Sequence, residues 1–129
     1  MKKFIDLEKL GICIKRRNCL FKYSTSYKFT GEYWVDGRKI YCKTISIGAV
    51  SSADKIIKHN ISSFDKLIKL EGFLYNSANE YITLPRPTNA TSHGRIEVIV
   101  SNENIKIQVG NDNVFAGGYI TLYYTKTTE

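Results

Sequence analysis

The sequence predicts an all-β protein, an antiparallel β-sandwich of jelly-roll type preceded by a short N-terminal arm with a helical pattern. Three observations support this fold class. Runs that favour strands, roughly seven to nine of them, recur at intervals of about 8–12 residues with turn residues between them. Helical patterns do not alternate with these runs, so an α/β fold is not expected. The chain has 129 residues, which is the size of one domain with a core of its own.

The first 22 residues differ from the rest of the chain. Phe4, Leu7 and Leu10 recur at helical spacing, and Gly11 is suited to end a short helix. The segment has seven basic and two acidic residues, whereas residues 23–129 have 12 and 10. We therefore predict two parts, a basic arm (residues 1–22) that anchors the protein or packs on the body, and a β-sandwich module (residues 23–129).

The start of the chain is basic and partly apolar, as in a secretory signal peptide. Asp6, Glu8 and Lys9 interrupt the apolar stretch, so a signal peptide is not predicted and we expect folding in a cytosol. Because no apolar run approaches the ~20 residues of a membrane span, membrane insertion is not expected either.

The strongest local signal in the module lies at Asp36-Gly37. Residues that favour strands flank this pair, which predicts a hairpin of strands 32–35 and 38–47. We predict a two-residue type I′ turn, which needs positive φ at both central positions. Alternation places Tyr41, Lys43, Ile45 and Ile47 on one face of the second strand, and Ile40, Cys42, Thr44 and Ser46 on the other.

The remaining strands are predicted in chain order from alternation and turn residues. They cover residues 64–75, 81–84, 95–100, 105–109 and 119–125, while residues 55–59 fit either a strand or one helical turn. In the longest strand, Ile68, Leu70 and Leu74 are expected on one face. Pro85 ends the strand at 81–84, and Gly117-Gly118 is interpreted as a turn. The loops 51–54, 76–80, 86–94 and 111–117 are candidates for contact with a ligand.

Residue types that perform catalysis are scarce in this chain. His59 and His93 are the only histidines, and both are expected in loops or at the surface. No spacing singles out the two carboxylates that a glycosidase needs, and no glycine-rich phosphate loop is present. Cys13, Cys19 and Cys42 lack the spacing of a zinc site and are interpreted as free thiols. We predict a non-enzymatic protein with no catalytic residue, cofactor or metal.

Two groups of side chains are candidates for binding. Lys15, Arg16 and Arg17 form either a solvated turn or a docking element for an acidic partner. Nucleic acid is the less favoured partner, because the module is nearly neutral. Tyr75, Tyr81 and Phe115 lie near predicted loops and are candidates for ligand contact. Packing roles are expected for Tyr33, Trp34, Tyr41, Tyr123 and Tyr124.

Four segments of the module, in the same order, resemble small β-rich modules of bacteriophage tail-fibre, baseplate and related virion proteins. Residues 33–45, Tyr-Trp-Val-Asp-Gly-Arg-Lys-Ile-Tyr-Cys-Lys-Thr-Ile, resemble the recurrent Trp-Ile-Asp-Gly-Lys-x-Ile-Tyr-x-Lys-Thr of that family. Tyr-Ser-Thr at 23–25 and Lys-His-Asn-Ile-Ser at 58–62 are similar to its Tyr-Ser-Thr and His-Gly-Ile-Ser. The end, Tyr-Ile-Thr-Leu-Tyr-Tyr-Thr-Lys-Thr-Thr-Glu at 119–129, resembles its closing Thr-Leu-x-Tyr-Thr-Lys-Thr. Asn60 replaces the usual glycine, and the arm has no counterpart in the shared pattern.

The resemblance implies a structural or host-attachment role in the virion, a tail-fibre, baseplate or head-fibre subunit made in the host cytoplasm. Implied partners are other virion proteins and further copies of the chain, a trimer by analogy, and a host-surface glycan is an implied ligand. No ligand-binding residue follows from the resemblance. The alternatives are a stand-alone carbohydrate-binding module and a small glycan-degrading enzyme.

Overall fold

Eight strands make up the regular structure of the described residues. The computed structural model describes residues 23–51, 54–85, 96–110 and 114–128. Its strands are β1 (Lys28–Tyr33), β2 (Lys39–Ser46), β3 (Lys55–Lys58), β4 (Phe64–Tyr75), β5 (Tyr81–Leu84), β6 (Ile96–Val100), β7 (Asn104–Val109) and β8 (Gly117–Lys126). The predicted all-β sandwich is confirmed. The arm, with Lys15, Arg16 and Arg17, lies outside the described residues, as does His93.

The strands form two antiparallel sheets. The larger sheet has the order β1-β2-β8-β4-β5, and the smaller has the order β3-β7-β6. Strand β8 lies at the centre of the larger sheet, where Tyr124 is opposite Tyr41 of β2 and Leu67 of β4. Because β8 is paired on both sides, most of its side chains are buried.

The main core joins the two sheets. Ile120 and Leu122 of β8 and Leu74 of β4 meet Ile105 and Ile107 of β7, and all five are fully buried. Burial of each such side chain contributes about 1.5–3 kcal/mol. In β7 every second residue is buried, so the predicted alternation is confirmed there.

A second, smaller cluster lies on the opposite face of the larger sheet. Ile40, Cys42 and Tyr123 form it, and Trp34 packs against it. Since Tyr41 and Ile45 belong to the main core, the predicted two faces of β2 are confirmed. Burial raises the pKa of the free Cys42 thiol. Tyr41, Tyr123 and Tyr124 pack as expected, but Tyr33 is 59% exposed.

The hairpin between β1 and β2 is present, but its predicted turn is wrong. Gly37 N–H donates to Trp34 O at 2.9 Å, and Trp34 N–H donates to Arg38 O at 2.8 Å. Gly37 has φ +87°, whereas Asp36 is not among the residues with positive φ. These features describe a three-residue loop, a type I turn followed by a bulge glycine. Asp36 Oδ1 accepts the Arg38 N–H at 3.0 Å and supports this loop.

Strand β4 has its predicted bounds but not its predicted single face. The register shifts between Leu67 and Lys69, which is a β-bulge. Ile68 therefore packs against the smaller cluster, while Leu70 and Leu74 contact the main core. The prediction of one face for the three residues is wrong because alternation assumes an unbroken ladder.

Gly117 and Gly118 belong to β8, although a turn was predicted for them. They lie opposite Tyr75 and Leu74 of β4. A Cβ atom on Gly118 would collide with Phe73 O, and one on Gly117 would lie 2.7 Å from Tyr75 Oη. The glycines therefore mark a close approach between strands.

Residues 55–58 are a strand, which decides between the two structures that the sequence left open. They pair with β7, and Ile57 packs against the main core. In the described part of the chain no helix has the length and apolar character needed to cross a bilayer.

Candidate functional site

A groove of about 690 Å³ crosses the outer face of the larger sheet, over β2, β8, β4 and β5. Its volume is in the range of small-molecule sites. The described lining comprises hydroxyl side chains (Ser24, Thr25, Thr44, Thr83, Thr121), aromatic rings (Tyr23, Phe73, Tyr119), one carboxylate (Glu71), Gly72 and Leu84. The groove lies on strand faces and on residues 23–25, not on the loops proposed from the sequence.

Two threonines form the middle of the groove. Thr44 of β2 and Thr121 of β8 are opposite each other, and their Oγ1 atoms are 2.8 Å apart. Both favour strands because they are β-branched, and both are shorter than the rings around them. These small side chains therefore contribute hydroxyl groups to the lining and leave space between the larger rings.

Aromatic rings line one side of the groove. Phe73 of β4 and Tyr119 of β8 are cross-strand partners, with ring centroids 5.9 Å apart. Tyr81 lies 5.5 Å from Phe73 and 5.8 Å from Tyr75. We call Phe73, Tyr75, Tyr81 and Tyr119 the aromatic cluster. Tyr81 and Tyr119 are 63% and 43% exposed, so their rings are accessible to a ligand.

The three aromatic residues predicted to contact a ligand have different positions. Tyr75 and Tyr81 belong to the aromatic cluster, next to the groove. Phe115 does not, because it is 4% exposed and belongs to the main core. Its backbone pairs with Val50, with N–H···O distances of 2.7 and 2.9 Å. Phe115 is therefore a packing residue, and its prediction as a contact residue is wrong.

Glu71 of β4 is held in position by two tyrosines. Its Oε1 atom accepts the hydroxyl of Tyr123 at 2.6 Å and that of Tyr23 at 3.3 Å. Burial, together with the Glu71 carboxylate, raises the pKa of Tyr123 far above its usual range. Tyr123 therefore remains a hydrogen-bond donor to Glu71 at all ordinary pH values.

No cation of the described residues forms an ion pair with Glu71. Each of the described aspartates has a lysine partner, at 3.6 Å for Asp36, 3.5 Å for Asp54 and 3.3 Å for Asp65. Glu71 Oε2 also accepts no hydrogen bond within residues 23–51, 54–85, 96–110 and 114–128. Among the described residues, the groove thus has one carboxylate with no ion-pair partner, in a chain of net charge +7.

His59 lies in the loop between β3 and β4, one of its two predicted places, but it is a buried structural residue and not a surface one. It is 1% exposed, and its ring stacks on Phe64 at 5.2 Å. Ile61 N–H donates to Nδ1 at 3.1 Å, so the proton is on Nε2, which donates to Ser101 O at 2.9 Å. Since both nitrogens are used, the ring offers no free atom for catalysis. Within the described part of the chain, no three or more His, Cys, Asp or Glu side chains are placed to hold a metal.

Three of the four segments that resemble virion modules, 33–45, 58–62 and 119–129, contact one another in the larger sheet and beside it. Arg38 Nη1 donates to Lys126 O at 2.7 Å, Lys43 Nζ donates to His59 O at 2.7 Å, and the rings of Tyr41 and Tyr124 stack at 6.2 Å. We call this set the framework corner: Arg38, Tyr41, Lys43, His59, Tyr124 and Lys126. Its contacts are internal to the fold.

Comparison of the chain with protein-family models, curated proteins and solved structures found no match. The groove and the framework corner are therefore the observations from which function is argued.

The sequence pattern did not single out Glu71, Phe73 or Tyr119. All three lie at alternate positions of predicted strands, and alternation places them on the outer face. That pattern could have identified a common face, but it does not show which strands are neighbours.

Proposed function

We propose that this chain is a non-enzymatic bacteriophage virion protein, a tail-fibre, baseplate or head-fibre subunit, that attaches the particle to a host-surface glycan. The groove is the observation that carries the attachment role. A sugar ring has apolar C–H faces that pack on exposed aromatic rings, and hydroxyl groups that hydrogen-bond to polar side chains. The groove combines both kinds of group, with Tyr119 beside Thr121 and Glu71.

The framework corner supports the virion part of the proposal. The resembling segments contact one another through Arg38, Lys43 and Tyr124, so they hold the module together. The same segments also supply part of the groove lining, including Ser24, Thr44 and Thr121, so the framework and the binding face belong to one module.

The content of the groove favours binding without cleavage. Glycosidases use two carboxylates, about 5–10 Å apart, on either side of the bond that is broken. Glu71 is the only carboxylate among the described lining residues. It is also already engaged by two phenol hydroxyls.

The same groove supports a second candidate, a carbohydrate-binding module with no place in a virion. The two candidates differ in location and not in binding chemistry. Virions purified from the host and labelled with antibody against this protein should show it by electron microscopy and by mass spectrometry. Its absence from the particles would exclude the virion role and leave the second candidate.

A glycan array tests attachment with the purified protein. We expect retention on a restricted set of glycans, with no release of reducing ends from them. Failure to bind any glycan at high protein concentration would contradict the attachment role. Release of reducing ends would instead favour a glycan-degrading enzyme.

A further inference from the structure

We infer that the ligand of the groove is an amino sugar, a glycan with a free ammonium group that binds to Glu71. This inference rests on the proposed glycan-binding function and names the chemical class of the glycan. Three features of the groove carry it: the position of the Glu71 carboxylate, the absence of an ion pair to it among the described residues, and the aromatic rings around it.

The carboxylate is already positioned for a ligand. Tyr123 and Tyr23 both donate to Oε1, which fixes the orientation of the group through neutral donors. Oε2 keeps its capacity to accept a hydrogen bond, because nothing in the described residues donates to it. A carboxylate whose geometry is set in advance loses little entropy when a donor binds.

The negative charge of Glu71 determines which hydrogen-bond donor of a ligand the groove favours. Glu71 is the only charged residue in the described lining, and it is partly buried. A neutral sugar that covered it would remove water from the carboxylate without supplying a counter-charge, which is costly. An ammonium group removes this cost and forms a charge-assisted hydrogen bond.

Aromatic rings favour the same ligand. A cation over the face of a tyrosine is attracted by the ring quadrupole. The protein already contains such contacts, with Lys69 Nζ 4.5 Å from the centroid of Tyr123 and Lys126 Nζ 3.6 Å from that of Tyr27. Tyr119 and Tyr23 border Glu71 in the groove and can receive an ammonium group in the same way.

Two oligosaccharides that differ only in N-acetylation test the inference. The probes are oligomers of β-1,4-linked glucosamine and their fully N-acetylated counterparts of equal length, titrated into the full chain by calorimetry while the free amines are protonated. We expect the free-amine form to bind about tenfold or more tightly, the gain of one charge-assisted hydrogen bond. Since the protein has a net charge of +7, non-specific attraction of a cationic probe is not expected.

Two matched variants locate the effect. Glu71→Gln keeps an acceptor for the Tyr123 hydroxyl and removes the charge, so it should abolish the preference for the amine. Glu103→Gln removes one exposed carboxylate in the loop between β6 and β7, and should leave the preference unchanged. Raising the salt from about 0.01 M to about 1 M, which shortens the Debye length from ~30 Å to ~3 Å, should weaken the amine form selectively.

Each of the other outcomes contradicts a particular part of the proposal. Equal or tighter binding of the acetylated form overturns the amino-sugar inference and keeps glycan binding. Binding of an anionic glycan, when neither probe binds, also overturns the amino-sugar inference and keeps glycan binding. Tighter binding of a short lysine peptide than of the glucosamine oligomer would show that the site takes an ammonium group that is not on a sugar. Absence of binding to every glycan contradicts the proposed function itself.

Discussion

The framework corner and the groove lie on one sheet, but they differ in how their polar groups are used. In the framework corner, polar groups face other protein groups: Arg38 donates to Lys126 O, Lys43 to His59 O, and both nitrogens of His59 are engaged. In the groove, Glu71 Oε2 accepts no hydrogen bond from the described residues, and Tyr119 is 43% exposed. The difference indicates that one region determines stability and that the other is available for binding.

The largest expected effect is at Tyr124, in the framework corner. It is fully buried, stacked between Tyr41 and Phe64. Tyr124→Ala should lower the free energy of unfolding by about 3–5 kcal/mol, the cost of removing a large buried ring. Urea denaturation followed by tryptophan fluorescence measures this change. A loss below ~1 kcal/mol would show that the corner is not a stability element.

A matched variant at the same position should change stability in the opposite direction. The Tyr124 hydroxyl is the only buried side-chain polar atom in the described residues without a hydrogen-bond partner. Tyr124→Phe removes this unpaired group and keeps the ring, so stability should stay equal or rise by about 1 kcal/mol. A fall in stability would reveal a partner for the hydroxyl.

The next largest effect is expected at His59. His59→Leu keeps an apolar side chain of similar size but leaves Ile61 N–H and Ser101 O without partners. Loss of two part-buried hydrogen bonds should cost about 1–3 kcal/mol, because a typical hydrogen bond contributes about 0.5–1.5 kcal/mol. The same variant should bind glycans with unchanged affinity wherever it is folded, because His59 lies outside the groove. A loss of glycan binding by the folded variant would show that the framework corner and the groove are coupled.

Alkaline pH tests how the two buried tyrosines, Tyr123 and Tyr124, contribute to stability. Burial raises the pKa of both Tyr123 and Tyr124 far above the usual range. The unfolded chain releases these protons near pH ~10, whereas the folded chain retains them. The stabilisation is therefore complete below pH ~10 and falls above it, by about 1.4 kcal/mol per pH unit for each tyrosine. In Tyr124→Phe the slope should be about half as steep, and an unchanged slope would exclude Tyr124 as a contributor.

Local pattern predicted much of the fold, and long-range contacts account for two of the errors. Alternation placed Tyr41 and Ile45 on one face of β2, because period-two burial is a property of a single strand. The bulge that reorients Ile68 depends on the pairing of β4 with β8, and the burial of His59 depends on a carbonyl 42 residues away. Neither is encoded in a short window.

The candidate site was less predictable than the fold for the same reason. Glu71 meets Tyr23 and Tyr123 across 48 and 52 residues of sequence. Tyr75 and Tyr81 were predicted as contact residues from their nearness to a turn, and both belong to the aromatic cluster. Phe115 satisfied the same criterion and is nevertheless buried. Nearness to a loop therefore does not predict exposure of an aromatic side chain.

A small loss of stability, and a clear effect on binding, are expected at Tyr119 in the groove. Tyr119→Ala loses a ring contact with Phe73, worth about 0.5–1.5 kcal/mol of stability. Glycan affinity should fall by about 1–2 kcal/mol, roughly tenfold, because an exposed ring in a pocket contributes mainly to binding. Tyr33→Ala is the matched control, since Tyr33 is also exposed, contacts one aromatic ring, Phe29, at 5.6 Å, and lies outside the groove. If both variants bind glycans equally well, the aromatic side of the groove does not contact the ligand. The groove would then not be the binding region, whereas the role of the framework corner in stability would be unaffected.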